Sequence, residues 1–242
     1  MAHRDRRLDS HLVTLTSPGS FAAEQYQGLR LTIERIGRNR TLQVIAVTSP
    51  AAGEGKTLTA INLAGALARG SDNARVLLID ADLRRPAVAR QLAMEDGGGG
   101  LAEVVGNAAA TLDGVTQKLA THNLSVIPAG KRTGAVHHIL RSPRLDQVLA
   151  EARRRYDFIV LDTPPLLPVF DSALLANSVD GVLMVVAANQ TPRKLLGESL
   201  NMLEPAKVLG IVFNRDERPM FGYYNSYYRE YFPDVSRVAS EA

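Results

Sequence analysis

Residues 49–57 constrain the fold of this chain more than any other segment, because they form a glycine-rich stretch between a strand pattern and a helix pattern. An apolar run over residues 42–47 precedes the segment, and a periodicity typical of a helix follows from Leu58 to Leu67. In that context a loop ending in Lys-Thr binds phosphate through backbone N–H groups that converge at the start of the helix. The segment therefore predicts one β–loop–α unit with an anion site at its turn.

The residue types in this loop predict what each position does. Glycine at 53 and 55 lets the backbone approach phosphate closely. We expect Lys56 to reach the β- and γ-phosphates and the Thr57 hydroxyl to ligate Mg²⁺. Pro50 stands where the strict motif has its first glycine, so an ordinary strand-to-helix loop remains the alternative. The residues expected to contact the nucleotide are Ala52, Gly53, Glu54, Gly55, Lys56, Thr57 and Leu58.

Composition narrows the class of protein. The 242 residues suffice for one large α/β domain, and the absence of cysteine excludes disulfides and cysteine–metal sites. A net charge of +3 is too small to indicate a nucleic-acid partner. The sequence shows neither a signal peptide nor an apolar run of about 18 residues, so we expect a cytoplasmic chain without a membrane span.

Apolar segments alternate with helical patterns along the chain, which predicts a doubly wound, mostly parallel α/β sheet. Strands are expected at residues 42–48, 75–80, 124–128, 158–162, 182–187 and 208–213. Helices are expected at residues 21–36, 56–69, 142–155 and 192–203. Residues 1–16 are expected to form a flexible N-terminal segment ahead of this domain.

Two of the predicted buried strands end in acidic residues. Asp80 and Asp82 follow one strand, and Asp162 ends another. Ligands of open α/β sheets bind outside the carboxyl ends of the strands, where the glycine-rich loop also lies. A carboxylate there is costly unless it meets a cation or a donor, and Mg²⁺ with phosphate would serve. Capping of the following helix is the alternative for any one of the three.

At this point the sequence resembles a known family. Asp80-x-Asp82-x-Arg84 and Asp162-x-x-Pro165, together with the loop, resemble the deviant Walker motifs of bacterial tyrosine kinases. These kinases are P-loop NTPases that act in capsule and exopolysaccharide synthesis and export, so the resemblance implies ATP and Mg²⁺ as cofactors. It implies a kinase domain over residues 17–216 and a tyrosine-rich tail over residues 217–242.

The resemblance also implies roles for individual residues. Lys56 would stabilise the transferring phosphoryl group, and Thr57, Asp80 and Asp162 would hold the metal ion and its waters. The proton of the acceptor tyrosine would pass to Asp82 or to Asp80. Asn214, at the end of the last predicted strand, would lie on the adenine side of the nucleotide.

The C-terminal segment contains five of the seven tyrosines of the chain. The resemblance implies that this cluster is the kinase's own phosphorylated substrate and that a phosphotyrosine phosphatase restores it. From the residues alone, an adhesive aromatic tail is the alternative. The tyrosines concerned are Tyr223, Tyr224, Tyr227, Tyr228 and Tyr231.

The first predicted helix resembles the oligomerisation helix of the same family. Glu24 and Arg30 match the family pattern Glu-x-x-Arg-x-x-Arg, and Gln27 replaces its middle arginine. Positions three apart share a helix face, so the three side chains can meet a neighbouring subunit in a ring. An ordinary surface helix is the alternative. The family further implies a transmembrane co-polymerase that activates the kinase and places it at the inner face of the membrane.

Two other functions compete with tyrosine phosphorylation. One is an ATPase switch similar to partition and division-site proteins, which share the deviant Walker architecture. Those proteins carry a signature lysine where this chain has Ala51, and no tyrosine cluster is expected of them. The other is a regulatory module that binds ATP without phosphoryl transfer.

Overall fold

The apolar runs form the strands of one sheet in the computed structural model, which describes residues 8–70, 74–94, 98–119 and 123–216. Within these ranges the sheet has seven strands in the order β3-β4-β2-β5-β1-β6-β7. Their bounds are β1 Val44–Thr48, β2 Val76–Asp80, β3 Gln117–Leu119, β4 Leu124–Ile127, β5 Phe158–Asp162, β6 Gly181–Ala187 and β7 Val208–Asn214.

All neighbouring strands run parallel except β3, which pairs antiparallel with β4 at one edge of the sheet. The prediction of a mostly parallel, doubly wound sheet is therefore confirmed. Strand β1 lies between β5 and β6, and the register of β2 against β5 pairs Asp80 with Asp162. This pairing brings the two predicted acidic strand ends side by side.

Helices cover both faces of the sheet because each presents an apolar stripe to one of two buried clusters. The helices are α1 Val13–Thr16, α2 Phe21–Gly37, α3 Lys56–Ala68, α4 Val88–Gln91, α5 Leu101–Gly106, α6 Leu112–Val115, α7 Val136–Leu140, α8 Pro143–Arg155, α9 Asp171–Leu175 and α10 Arg193–Leu200. Two 3₁₀ turns span Ala176–Ser178 and Pro205–Lys207. The four helices predicted from periodicity are α2, α3, α8 and α10, with ends shifted by three residues or fewer.

The expectation of a flexible segment is wrong for residues 12–16, which pack against α3. Leu12 is fully buried, and Asn62 of α3 accepts hydrogen bonds from the Thr14 backbone N–H (3.0 Å) and hydroxyl (3.1 Å). Gly65 permits this contact, since a Cβ there would lie 2.4 Å from Thr14 Oγ1. Within residues 12–16, Leu12 and Leu15 are the buried apolar side chains. Two apolar positions are too few to predict a helix from periodicity.

Strand β3 and the short helices α1, α4–α7 and α9 were not predicted, since three to six residues carry too little periodicity. Among the residues that the structure describes, no helix combines the length and apolar character needed to cross a bilayer. The predicted tail, residues 217–242, lies outside the described ranges.

Candidate active site

The glycine-rich loop joins β1 to α3, as predicted. Gly53 and Gly55 adopt φ values of +84° and +91°, a left-handed backbone that favours glycine. Gly55 is the N-cap of α3, so Lys56 and Thr57 occupy the first turn of that helix. A Cβ on Gly55 would also lie 2.0 Å from Asn214 Nδ2. The sequence therefore requires glycine at 55 both for backbone conformation and for close packing.

Glu54 and Asn214 brace this loop from within. The buried carboxylate of Glu54 accepts hydrogen bonds from the Ala51 N–H (3.0 Å) and from the Thr191 hydroxyl (2.5 Å). Asn214 Nδ2 donates to the Glu54 carbonyl at 2.9 Å. The loop is thus fixed to the ends of β6 and β7. Sequence reasoning missed Thr191, which lies 137 residues from Glu54 and belongs to no motif.

Lys56 lies between two of the three predicted aspartates. Its Nζ is 3.0 Å from Asp82 Oδ2 and 3.4 Å from Asp162 Oδ1. The Thr57 hydroxyl donates to Asp162 Oδ2 at 2.7 Å. Four predicted site residues from three separate chain segments therefore meet at the carboxyl edge of the sheet.

Asp80 is as deeply buried as Asp162, but its carboxylate bonds to backbone N–H groups. Its Oδ2 accepts the backbone N–H groups of Ala87 and Val88, both at 3.0 Å, and its Oδ1 accepts that of Asp82 at 3.2 Å. These contacts shape the turn that follows β2. The structure does not bring the Asp80 carboxylate into hydrogen-bond contact with Lys56 or Thr57, the other groups predicted to act with it.

Burial and mutual repulsion perturb the charges at this edge. Burial, followed by the charge of Asp162, raises the pKa of Asp80 to about 7. Burial also raises the pKa of Asp162, although Lys56 and the Thr57 hydroxyl oppose the change. Burial lowers the pKa of Lys56, but the charges of Asp162 and Asp82 outweigh it and raise that pKa. Among the described residues, Lys56 is the one cation within ion-pair distance of Asp82 and Asp162, and burial and repulsion disfavour the charged forms of Asp80 and Asp162.

A cavity of about 650 Å³ opens above the loop. Three arginines line it, namely Arg84, Arg85 and Arg215, and sequence reasoning assigned none of them a role. Arg84 forms a bidentate pair with the fully buried Asp171, with Nε–Oδ2 at 2.6 Å and Nη2–Oδ1 at 3.2 Å. Since 87 residues separate the partners, no local pattern could have indicated this pair.

The oxygen donors around Lys56 suit a magnesium ion. Mg²⁺ is usually bound by one or two carboxylates, waters and substrate phosphates. Thr57 and Asp162 offer neighbouring oxygens, and Asp82 lies across Lys56 from them. No group of three or more His, Cys, Asp or Glu able to hold a metal occurs within the described ranges. This donor set fits an ion that nucleotide phosphates help to hold.

The three predicted interface residues lie on α2. Glu24 is exposed, whereas Arg30 bonds within its own helix, to Gln27 Oε1 (2.9 Å) and Glu34 Oε1 (2.7 Å). Leu31, which was not predicted, exposes 56% of its surface beside them. The five predicted acceptor tyrosines lie outside the described residues.

Comparison with known proteins gives three consistent likenesses. A model of the AAA domain family matches residues 42–205. The chain is 30% identical over 229 residues to tyrosine-protein kinase YwqD of Bacillus subtilis, which covers 93% of this chain and 95% of that protein. The kinase domain of Escherichia coli tyrosine kinase ETK matches with a TM-score of 0.80 and 26% identity, covering 92% of this chain and 87% of that one.

A longer relative shows a similar segment within a larger protein. The succinoglycan biosynthesis transport protein ExoP of Rhizobium meliloti is 30% identical over 221 residues. That alignment covers 89% of this chain but 28% of ExoP. The chain therefore corresponds to less than a third of that transport protein.

Proposed function

The chain belongs to the bacterial tyrosine kinases of the AAA domain family, and from that membership we propose that it phosphorylates tyrosines of its own C-terminal tail with ATP. The observation that supports this most is the position of Lys56 between Asp82 and Asp162, directly above a phosphate-binding loop. In phosphoryl transfer the protein mainly aligns the reacting groups and neutralises charge, which such a site can do. The tail supplies the acceptors, Tyr223, Tyr224, Tyr227, Tyr228 and Tyr231.

The resting ion pairs of Lys56 define its part in the mechanism. Its ammonium group is held at 3.0 Å and 3.4 Å by two carboxylates, so it is already at the place where phosphate charge would arrive. Phosphates bound in the loop would draw the Lys56 ammonium away from Asp82 and Asp162. A magnesium ion, when bound, would neutralise charge on the β- and γ-phosphates.

The two carboxylates would then have separate roles. Asp162, with the Thr57 hydroxyl 2.7 Å away, would hold the metal ion. Asp82 lines the cavity and would accept the phenolic proton as the tyrosine oxygen bonds to the γ-phosphorus of ATP and the bond from that phosphorus to the leaving ADP oxygen breaks. Asp80 supports this arrangement by fixing the turn that carries Asp82. Asn214 holds the loop from the side proposed for adenine.

We propose that polysaccharide export sets the context of this reaction. ExoP is named for succinoglycan biosynthesis and transport, and this chain spans 28% of it. A separate transmembrane co-polymerase would bring this kinase to the inner face of the membrane and activate it. A phosphotyrosine phosphatase would restore the tail. Subunits would form a ring through Glu24, Gln27 and Arg30, with the exposed Leu31 at the same contact.

Mass spectrometry of protein incubated with ATP and Mg²⁺ tests the proposed reaction. We expect phosphate on residues 223–231, and we expect Lys56→Met to abolish it. Lys194→Met, which changes an exposed lysine of α10, is the matched control and should retain full phosphorylation. Phosphate confined to other residues, or unchanged in Lys56→Met, would rule the proposal out.

A further inference from the structure

A second cavity, of about 420 Å³, opens on the other side of the turn that follows β2. Asp80 lies in its wall, whereas Asp82, two residues further along, lines the nucleotide cavity. Residues 80–91 therefore contribute to the walls of both cavities. The volume is in the range of small-ligand pockets, which begin at about 300 Å³.

The floor of this second cavity is rigid. It is formed by Pro128, Ala129 and Gly130 after β4. The Glu103 carboxylate accepts the N–H groups of Gly100 (2.7 Å) and Lys131 (2.9 Å), and so clamps this segment to the start of α5. A Cβ on Gly130, whose φ is +86°, would lie 2.0 Å from Glu103 Oε2. Residue 130 must therefore be glycine for the Glu103 carboxylate to occupy this position.

The lining offers positive charge to a ligand. Arg90 and Lys131 are exposed at the cavity, and neither side chain forms an ion pair within the described part of the chain. The Gln117 amide adds a further polar group. Asp80 is the one carboxylate in the described lining, and three backbone N–H groups already occupy its oxygens. The cavity thus offers two positive charges and an amide to an anionic group such as a phosphate.

We propose that this cavity binds a phosphotyrosine of the tail while a second tyrosine is phosphorylated in the nucleotide cavity. The inference rests on the proposed tail phosphorylation. Each of Tyr223, Tyr224, Tyr227 and Tyr228 is followed by another tyrosine three or four residues later. An extended chain of that length spans roughly 10–14 Å, enough to reach across one turn between two neighbouring sites.

The consequence is an ordered reaction. The first phosphate places a charge-bearing anchor on the tail, and Arg90 and Lys131 hold it by charge-assisted hydrogen bonds. The held tail then presents its next tyrosine to Asp82. The first transfer is slow and later transfers are faster, so singly phosphorylated protein should not accumulate.

Peptide binding tests this site without any phosphoryl transfer. Fluorescent peptides of residues 217–235, with and without phosphate on Tyr231, are titrated with the unphosphorylated full chain. A non-hydrolysable ATP analogue and Mg²⁺ are kept saturating so that the nucleotide cavity is filled. We expect the phosphopeptide to bind at least about tenfold more tightly than its unphosphorylated form. The double variant Arg90→Ala, Lys131→Ala should lose that difference.

The matched control is Arg154→Ala, which removes an exposed arginine of α8 whose guanidinium donates to the Ala150 carbonyl of the same helix. Equal binding of the two peptides by the wild-type chain, or equal loss in Arg154→Ala, would overturn the inference. In a time course of intact mass with ATP, the double variant should accumulate singly phosphorylated protein, unlike the wild type. If the wild type transfers no phosphate, the proposed function fails, and the titration still decides whether this site exists.

Discussion

The two edges of one sheet hold their carboxylates under opposite conditions. At the carboxyl edge, Asp80 and Asp162 are fully buried beside each other, and their pKa values are raised. At the amino edge, Asp180 precedes β6 and Asp157 precedes β5, and their pKa values are lowered. The charged form of aspartate is therefore disfavoured at the carboxyl edge and favoured at the amino edge.

Hydrogen bonds explain the lowered values at the amino edge. Asp180 accepts the N–H groups of Gln43 (2.9 Å) and Val44 (2.8 Å) and a bidentate contact from Arg153 at 2.7 and 2.8 Å. Burial alone would raise the pKa of Asp180, but these donors outweigh it. Arg75 does the same for Asp157. Asp157 and Asp180 are thus each matched by an arginine.

The carboxyl edge lacks that balance, since within the described ranges Lys56 is the one cation that forms ion pairs with Asp82 and Asp162. Crowded, desolvated charges of this kind are typical of functional sites, where groups needed for the reaction lower the stability of the fold. The contrast supports the nucleotide and magnesium site proposed for the carboxyl edge. Three substitutions and one pH series test this difference between the two edges.

The largest effect is expected for Asp162→Asn. This change removes the charge that faces Lys56 and Thr57 but keeps the shape of the side chain. Phosphate transfer should fall by roughly 10²–10⁴-fold, because metal and phosphate lose their fixed charge partner. The melting temperature should stay the same or rise, since a crowded buried charge is gone. Parallel loss of both activity and stability would contradict the account.

Asp180→Ala should lower the stability of the protein and leave phosphate transfer unchanged. Loss of this carboxylate leaves the Arg153 guanidinium and two backbone N–H groups without an acceptor, which costs about 2 kcal/mol of unfolding free energy. The melting temperature should drop by roughly 4–8 °C for a domain of this size. Transfer per folded molecule should be retained, as measured by phosphorylation at 15 °C beside circular dichroism.

Stability should depend on pH with opposite slopes at the two edges. Asp180 has a lowered folded pKa, so its contribution is present above its unfolded value near 3.9 and is lost as pH falls below it. Asp80 has a folded pKa raised to about 7, so the folded state holds a proton that the unfolded state releases. As pH rises from about 4 to about 7, the contribution of Asp80 should therefore lower the free energy of unfolding.

Urea unfolding across this range separates the two contributions. Asp80→Asn should flatten the curve between about pH 4 and pH 7, and Asp180→Ala should flatten it below about pH 4. If Asp80→Asn leaves the upper range unchanged, Asp80 does not carry the strain assigned to it.

The smallest effect is expected for Asp157→Asn. The ion pair with Arg75 lies at the surface, with 44% of the Asp157 side chain exposed. Exposed pairs contribute less than about 1 kcal/mol, and salt weakens them further. Chemical denaturation should detect a change near the limit of measurement, and transfer should be unaffected. A loss as large as that of Asp180→Ala would show that exposure does not separate these two aspartates.

The sequence predicts the buried strands well, because they are largely continuous apolar runs. Strand β5, for example, has the predicted bounds, and α3 begins at Lys56 as expected. The distinction between Asp80 and Asp162 could not be predicted. Both end a buried strand, and their difference depends on how the turn after β2 folds back to present the N–H groups of Ala87 and Val88.

Long-range partners account for the rest of what sequence reasoning missed. The Arg84–Asp171 pair and the Thr191–Glu54 bond join segments 87 and 137 residues apart. Neither residue type nor spacing marks such pairs before the chain is folded. The N-terminal turn at α1 was missed for a related reason, because Asn62 and Gly65 that receive it belong to another helix.

Thermal unfolding of the wild-type chain with nucleotide can show whether the carboxyl edge is a site for Mg²⁺ and phosphate. If the carboxyl edge is strained because it awaits Mg²⁺ and phosphate, a non-hydrolysable ATP analogue and Mg²⁺ together should stabilise it more than the sum of each alone. At about a hundredfold excess over Kd the gain is roughly 2.7 kcal/mol, or about 5–10 °C. Lys56→Met should lose most of that gain. No shift with both ligands, or the same shift in Lys56→Met, would contradict the account.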